Sequence, residues 1–327
     1  MDKAIGGYYE IEKLSVGRGF PQQDGAFLNT GRNCLEYILA SIGNVKKAYL
    51  PYYTCIVVLE PFEKLGIPYE FYSLDEELHI KEEIQVNDNE CIVYNNYFGI
   101  MDEYVCALFQ KYGDKLIVDA AQALYAKRPK ELKIFYSPRK FVGLSDSGVA
   151  FVENGKEVEQ YPIDDSSDRM SHLFLRKEKG ASAGYELFKE NTDKLIMNPI
   201  RRLSVITSDL MSHIDFDEVK ERRNANFAYL HRHLQGSNKL HIPALDTFEC
   251  PMVYPYWTSN KALKSFLISH AVFVATYWPN VYDWTTPEML EHEFADNLLA
   301  IPCDQRYDSN DMNRIVELIH ATSDQSV

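Results

Sequence analysis

The chain has 327 residues, about twice the length of a typical single domain, which favours one large domain and one smaller domain. Apolar residues make up 46% of the sequence, enough for a full globular core, and the net charge of −14 argues against non-specific binding to nucleic acid or to an anionic membrane. The six cysteines are scattered, without the spacing of a zinc site or a disulfide framework, and indicate a reducing compartment. The first residues lack the apolar core of a signal peptide, and no apolar run approaches the ~20 residues of a transmembrane helix. These features predict a soluble, cytoplasmic protein.

A glycine turn near the N-terminus opens the first long helix that the pattern predicts. The helix is expected to begin near Gly31 and Asn33, because apolar residues then recur at helical spacing. A glycine turn that opens a helix presents free N–H groups and the positive end of the helix dipole, which suits a phosphate group. Taken alone, the pattern favours a capped core helix.

Strand-like and helix-like segments alternate from about residue 28 to 125. Short apolar runs typical of buried strands begin near residues 48, 69, 91 and 115, and helical patterns separate them. This alternation predicts βαβ units and a mainly parallel sheet. Ligands of such sheets bind beyond the carboxyl ends of the strands.

Two residues with complementary chemistry follow neighbouring strands of this predicted sheet. Asp119 ends the apolar run at 115–119, and Lys140 comes shortly after a second β-rich run at 134–136. Pyridoxal phosphate chemistry needs such a pair, since the lysine amine forms a Schiff base with the cofactor aldehyde and the acid keeps the pyridine nitrogen protonated. The spacing alone favours a plainer interpretation, in which Asp119 caps a helix formed by the following Ala-Ala-Gln-Ala and Lys140 lies on the surface.

The second half of the chain changes character after a polar, charged region at 153–194. A helix at 208–213, a long amphipathic helix at 218–234, several short β-rich segments and a last helix at 311–319 are predicted. We expect a large domain at 1–205, with residues 1–25 as an arm over its body, and a smaller C-terminal α/β domain at 206–327.

The wider sequence around the acid and the lysine carries a resemblance to a known family. VDAAQAL, followed by FYSPRKFVGLSDSG, resembles the cofactor-binding core of the DegT/StrS-type sugar-nucleotide aminotransferases, and more narrowly the short members that contain YSPRKF. The resemblance extends over most of the chain. It implies the α/β fold of the fold-type-I pyridoxal-phosphate-dependent transferases, with Lys140 as the lysine that binds the cofactor and Asp119 as the partner of its ring nitrogen.

The resemblance also implies roles for residues that the spacing alone does not single out. Gln122 corresponds to a contact of the cofactor 3-hydroxyl, and Ser137 to a phosphate-binding serine, although three residues separate it from the lysine where many members have five. Tyr53 is the candidate for stacking on the pyridine ring, because Cys55 stands in the usual aromatic position; it could equally be a packing residue. Asn198 corresponds to an asparagine that reaches the partner subunit's cofactor phosphate, which implies a homodimer.

The predicted phosphate site is the start of the first helix, at Gly31, Arg32 and Asn33. Family members usually carry Gly-Thr or Gly-Ser where this chain has Gly31-Arg32. Arg32 would either add charge to the phosphate site or point toward a phosphate of the substrate, and the sequence leaves both open.

The leading functional hypothesis is transfer of an amino group to a nucleotide-linked keto-sugar, with glutamate as the amino donor, for the biosynthesis of amino sugars or surface polysaccharide. A lyase or dehydratase on similar sugars is the first alternative, although relatives of that kind typically replace the lysine with histidine. A cofactor-free scaffold or regulator is the second alternative, motivated by the departures at Arg32, Cys55 and the Ser137–Lys140 spacing. The substrate class depends on family analogy alone.

Overall fold

A computed structural model describes residues 4–15, 19–22 and 24–323. A central sheet of seven strands is built by residues 26–151, and four further strands form two small pairs. The strands within these described ranges are β1 (Ile5–Gly6), β2 (Ala26–Leu28), β3 (Lys47–Pro51), β4 (Tyr69–Tyr72), β5 (Glu90–Asn95), β6 (Leu116–Ala120), β7 (Lys133–Tyr136), β8 (Gly148–Phe151), β9 (Val253–Trp257), β10 (Val272–Phe273) and β11 (Leu298–Pro302).

Helices flank this sheet and make up most of the described chain beyond residue 170. They are α1 (Gly31–Ile42), α2 (Glu60–Leu65), α3 (Asp102–Tyr112), α4 (Ser171–Lys179), α5 (Tyr185–Asp193), α6 (Val205–Ser212), α7 (Phe216–Leu234), α8 (Leu263–Ser269), α9 (Val281–Trp284), α10 (Leu290–Asn297) and α11 (Ser309–Ser323). None of the helices in the described ranges is both long enough and apolar enough to cross a lipid bilayer.

The central sheet is mainly parallel, as the sequence predicts. Its strand order is β2-β8-β7-β6-β5-β3-β4; the five strands from β7 to β4 run parallel, whereas β8 is antiparallel to β7 and β2 is antiparallel to β8. Leu116, Ile117 and Val118 of β6 are fully buried, which is the composition expected of a central parallel strand covered on both faces. The register places Asp119 beside Asn95 of β5 and Phe135 of β7, at the carboxyl edge of the sheet.

The C-terminal part of the chain adds a smaller β structure. Strands β9 and β11 form an antiparallel pair, and β10 pairs in parallel with β1, so residues at the N-terminus associate with the C-terminal region. The buried apolar core is continuous across residue 205, since side chains such as Leu116 and Tyr254 belong to one cluster. The boundary between a domain at 1–205 and one at 206–327 stays a prediction.

Residues 4–15, which we call the N-terminal arm, lie across the turn that follows Lys140. The Glu12 carboxylate accepts hydrogen bonds from the Gly143 N–H at 3.2 Å and from Gln305 Nε2 at 3.0 Å. Arg176 of α4 donates to the Glu10 carboxylate at 2.9 Å. The arm therefore connects the lysine turn, the α4 helix and the C-terminal region; residues 1–3, 16–18 and 23 of the predicted segment at 1–25 lie outside the described residues.

Arg223 of α7 also connects the N-terminal arm, the turn after Lys140 and the C-terminal region. Its side chain is fully buried and donates to the carbonyl oxygens of Met252 at 2.9 Å and Phe141 at 3.0 Å, and to the Tyr9 hydroxyl. A buried guanidinium is tolerated only when its donors are satisfied, and these bonds satisfy them with backbone and arm groups. The position of Phe141, directly after Lys140, is thus fixed by a residue distant in the sequence.

The segment after Asp119 differs from the sequence expectation. The Ala-Ala-Gln-Ala stretch at 120–123 was compatible with a helix, but residues 121–125 form consecutive turns. Packing decides the conformation, because Gly99 approaches this segment so closely that a Cβ atom added there would lie 2.6 Å from the Gln122 carbonyl oxygen. A tertiary contact therefore overrides a local helical preference.

Candidate active site

Asp119 and Lys140 meet at the carboxyl edge of the central sheet. Asp119 is the fourth residue of β6, and Lys140 ends a short 3₁₀ turn, Pro138–Lys140, that begins two residues after the neighbouring strand β7. The turn is held by a hydrogen bond from the Lys140 N–H to the Ser137 carbonyl oxygen at 3.0 Å. Both residues are half-buried.

The Asp119 carboxylate lies in an environment that disfavours its charge. Burial raises its pKa above the ordinary value, while the positive charge of Lys140 and a 2.8 Å hydrogen bond from the Ala121 N–H act in the opposite direction. The lysine is therefore close enough to interact electrostatically with the acid. A bound cation near Asp119 would offset the desolvation that its carboxylate experiences.

Gln122 has one satisfied and one unsatisfied side-chain atom. Its Oε1 atom accepts from the Phe98 N–H at 2.8 Å, which fixes the orientation of the amide, whereas Nε2 is buried and has no hydrogen-bond partner among the described residues. Phe98 belongs to a turn at Tyr97–Gly99 that follows β5 and adopts a positive φ of 57°. An oriented donor without a partner indicates a place for an acceptor from a ligand.

The N-terminus of α1 lies beside the lysine turn. Thr30 caps the helix by accepting from the Asn33 N–H at 3.1 Å, and Gly31 faces Ser137, since a Cβ atom on the glycine would lie 3.5 Å from the Ser137 Cβ atom. The structure thus brings Gly31 and Ser137, two of the predicted phosphate-binding residues, together. The Asn33 side chain is fully buried and donates to Glu36 at 3.1 Å and to the Asn198 carbonyl oxygen at 2.8 Å, so its amide holds the helix in place.

Arg32 forms an ion pair that the sequence did not indicate. Its guanidinium contacts the Glu60 carboxylate of α2, and the two side chains are only 8% and 11% exposed. The second Glu60 oxygen accepts from the Met197 N–H at 2.9 Å. Arg32 is therefore neutralised by an internal carboxylate, and its predicted contact with a phosphate stays a prediction.

Tyr53 lies in an aromatic cluster. Its ring is fully buried, stacks on Tyr97 at a centroid distance of 5.7 Å, and meets the Trp278 ring edge-on at 5.1 Å; its hydroxyl has no hydrogen-bond partner in the described chain. These are the contacts of a packing residue, which was the alternative interpretation. Stacking of Tyr53 on a cofactor ring stays a prediction.

Asn198 lies over the start of its own chain's α1 helix. Its carbonyl oxygen accepts from Asn33 and, at 2.6 Å, from Lys64 Nζ, while its side-chain Nδ2 donates to the Lys194 carbonyl oxygen at 2.6 Å. The predicted reach of Asn198 to a partner subunit concerns a second chain and stays a prediction.

Sequence reasoning missed a charged network behind the lysine turn. Asp146 is fully buried, and Arg169 binds both Asp146, at 2.8 Å, and Asp164, at 2.6 Å. The only signal in the sequence was the Gly/Asp-rich turn that contains Asp146, which gave no indication of partners 18 and 23 residues away. Because Asp146 lies six residues after Lys140, this network holds the segment that follows the lysine turn.

The fold is shared with solved sugar aminotransferases. A DegT/DnrJ/EryC1/StrS aminotransferase from Brucella abortus matches with a TM-score of 0.57 and 13% identity, covering 93% of this chain and 87% of that one. DesV of S. venezuelae, solved with a ketimine intermediate, matches with a TM-score of 0.60 and 15% identity over 90% and 83%. DesI, solved in the presence of its TDP-sugar product, matches with a TM-score of 0.60 and 14% identity over 93% and 81%. The chain has the fold of the DegT/DnrJ/EryC1/StrS-type sugar aminotransferases.

This finding confirms the α/β transferase fold that the sequence predicted. No protein-family model matches the chain, and no curated protein matches it. At 13–15% identity, the similarity to these DegT-type enzymes concerns the fold, so the chemistry of this chain must be argued from its own residues.

Proposed function

We propose that the protein is a pyridoxal-phosphate-dependent aminotransferase. The observation that carries the proposal is the pairing of Asp119 and Lys140 at one edge of the sheet, with the lysine charge acting on a carboxylate whose pKa burial raises. An isolated surface lysine and a helix-capping acid, the plainer interpretation, would not interact in this way. The DegT-type fold adds support, because solved chains with this fold include sugar aminotransferases.

The residues present fit the cofactor. The unsatisfied Nε2 donor of Gln122 suits an acceptor oxygen on an aromatic ring, and the desolvated Asp119 carboxylate suits a protonated ring nitrogen. Gly31 and Ser137 would hold the phosphate at the N-terminus of α1. When bound, pyridoxal phosphate supplies an aldehyde that combines with amines and a ring that accepts electrons.

The chain's own residues would divide the work of positioning and proton transfer. Lys140 would carry the amine that binds the cofactor and would then move a proton to and from the substrate carbon as a general base and acid. Asp119 would keep a proton on the ring nitrogen, and Gln122 would orient the ring through one hydrogen bond. The Ser137–Lys140 bond and the contacts to Phe141 would keep the lysine at the edge of the sheet.

We further propose a nucleotide-linked keto-sugar as the amino acceptor and glutamate as the donor. The TDP-sugar product present with DesI supports this substrate class for the shared fold. The assembly we propose is a homodimer. Five apolar residues on the segments around 163, 196–197 and 205–206 support it, because each is 40% or more exposed: Ile163, Ile196, Met197, Val205 and Ile206.

The proposal is tested with the purified protein, pyridoxal phosphate and borohydride. We expect a visible absorbance band that borohydride removes, and a reduced adduct that mass spectrometry maps to Lys140. The Lys140→Ala variant should lose both the band and amino transfer, whereas Lys177→Ala, at an exposed helical lysine, should keep them.

Incubation of the loaded protein with glutamate and candidate keto-sugars then identifies the reaction. A mass corresponding to a gained amine supports transfer, and a mass corresponding to lost water supports the lyase alternative. Retained turnover in Lys140→Ala would refute the assignment of the lysine. Failure of the wild type to bind the cofactor at all would refute the proposed function and favour a scaffold.

A further inference from the structure

Among the residues that the structure describes, Arg139 is a cation without a carboxylate partner. It lies in the turn directly before Lys140, is half-buried, and forms no ion pair with any residue that the structure describes. One guanidinium nitrogen, Nη2, donates to the Thr192 hydroxyl at 3.3 Å, which is a long hydrogen bond to a neutral acceptor. A buried guanidinium usually has an anionic partner, so its absence among these residues calls for an explanation.

Asp146, the carboxylate that acts electrostatically on Arg139, and Asp164, which shares Arg169 with it, are occupied by other groups. Asp146 accepts from Arg169 at 2.8 Å and from the Thr207 hydroxyl at 2.6 Å. Asp164 accepts from Arg169 at 2.6 Å and from Arg201 at 3.0 Å. The two carboxylates therefore pair with Arg169 and Arg201, and neither forms an ion pair with Arg139.

The electrostatic surroundings of Arg139 are unfavourable to its charge. Burial lowers the pKa of its guanidinium to about 10, and the positive charges of Arg32 and Arg169 act in the same direction while Asp146 opposes them. His172, on α4, provides no negative charge: burial, followed by Arg139, lowers its pKa to about 4, so it is neutral at pH 7. An anion bound to Arg139 would remove this penalty.

Arg139 is also held next to the N-terminus of α1. Its backbone N–H donates to the Ser147 hydroxyl at 3.0 Å. The Ser147 backbone N–H donates in turn to the carbonyl oxygen of Asn29, two residues before the helix begins, at 2.9 Å. Ser137, which faces Gly31, is two residues before Arg139. The Arg139 backbone, Ser137 and the start of α1 therefore lie together, and the positive charge of Arg32, the second residue of that helix, acts on the Arg139 guanidinium.

We propose that Arg139 binds the phosphate group of pyridoxal phosphate. The inference rests on the proposed function, because it adds a residue to the cofactor site proposed above. A guanidinium can offer two parallel donors to phosphate oxygens, a geometry that neither a lysine nor a serine reproduces. Arg139 thereby supplies the positive charge at the phosphate. Arg32 is not needed for this, because its charge is paired with Glu60.

The test compares two ligands that differ only in the phosphate. Dissociation constants of pyridoxal phosphate and of pyridoxal are measured by fluorescence titration of the full-length protein, for the wild type, Arg139→Gln, Arg139→Lys and Arg222→Gln. We expect Arg139→Gln to bind pyridoxal phosphate about 10- to 100-fold more weakly, with pyridoxal binding unchanged. Arg139→Lys should be intermediate, and the control at Arg222, an exposed arginine without an ion pair in the described chain, should match the wild type.

Each other outcome has a defined meaning. Equal affinity of Arg139→Gln and the wild type for pyridoxal phosphate would overturn the inference and leave the proposed function intact, as would an equal loss for both ligands. A variant that changes only the KM for glutamate would likewise overturn it. Absence of cofactor binding by the wild type would remove the proposed function itself. Thermal unfolding of each variant checks the fold, and if Arg139→Gln does not fold, the two constants of Arg139→Lys decide in the same way.

Discussion

At the scale of single residues, Asp119 shows how one carboxylate can be costly for the fold and useful for a ligand. Desolvation disfavours its charge, and among the described residues the Lys140 charge and the Ala121 N–H oppose this effect. Because its pKa is raised in the folded state, the folded protein holds this proton more tightly than the unfolded chain does. The associated stability is present below the unfolded pKa and is lost as the pH rises through the folded pKa.

We therefore expect Asp119→Asn to be more stable than the wild type near pH 7 when no cofactor is present. The difference in melting temperature should shrink as the pH falls toward ~3.9, the ordinary aspartate pKa. The same variant should lose amino transfer by about 100-fold or more, because an oriented charge is removed from the ring nitrogen. Calorimetry across pH and a turnover assay measure the two effects.

The exposed Asp246 supplies the control for this comparison. Asp246→Asn should have the melting temperature and the turnover of the wild type at every pH. An Asp119→Asn variant that is less stable than the wild type at every pH would contradict the expected sign.

The acid and the lysine could be predicted from the sequence because each stands at a recognisable position, past the end of an apolar run. Arg32 could not be interpreted in the same way. Its partner Glu60 is 28 residues away on a different helix, and no local pattern connects the two. Residues whose role depends on such distant partners are fixed by tertiary structure, so the sequence left the role of Arg32 open.

At the scale of elements, the turn after Lys140 and the N-terminal arm are packed against each other without spare room. A Cβ atom on Gly143 would lie 1.9 Å from the Glu10 carbonyl oxygen and 2.7 Å from the Glu12 nitrogen. Both neighbours are backbone atoms, which cannot rotate away. A side chain at this position must displace either the arm or the turn.

We expect Gly143→Ala to lower the free energy of unfolding by about 1–3 kcal/mol, as overpacking in a dense region does. Limited proteolysis should then cleave the arm faster, and the melting temperature should fall. Gly236→Ala is the matched control, because no atom lies within 4 Å of a Cβ atom there. Equal cleavage rates and melting temperatures for the two variants would contradict the close contact.

The elements themselves were predictable where they are long or strongly patterned. The amphipathic helix predicted at 218–234 is α7 (Phe216–Leu234), and the last helix, predicted at 311–319, lies within α11 (Ser309–Ser323). The short stretch after Asp119 was not predictable, since Ala-Ala-Gln-Ala favours a helix locally but Gly99 packs against it. Its turn conformation allows Gln122 to bond the Phe98 N–H.

At the scale of the whole molecule, the exposed apolar residues near α6 distinguish one part of the surface. Val205 is 63% exposed, and the chain around it is tied to the segment that carries Ile163, because Ser166 and Ser204 share a hydrogen bond of 2.5 Å. Met197, 50% exposed, is tied to α2 through Glu60. Exposed apolar side chains of this kind are suited to burial against a second copy of the chain.

We expect the wild type to sediment as a dimer and Val205→Glu to shift it toward the monomer, because a charge buried in an apolar interface is costly. Sedimentation velocity at micromolar concentrations measures the change. Leu245→Glu, at a 41% exposed leucine elsewhere, should leave the dimer intact. A monomeric wild type, or a Val205→Glu variant with unchanged mass, would refute the homodimer or this surface as its interface.

The bonds to Phe141 also set an order in which the site can be completed during synthesis. The Phe141 carbonyl oxygen, directly after Lys140, accepts from Arg223 Nη2 at 3.0 Å and from Gln305 Nε2 at 2.8 Å. A ribosome has translated the central sheet and the lysine long before it reaches either donor. The nascent chain can thus assemble its sheet early, but it acquires a fully held lysine turn only after Arg223 and then Gln305 have emerged.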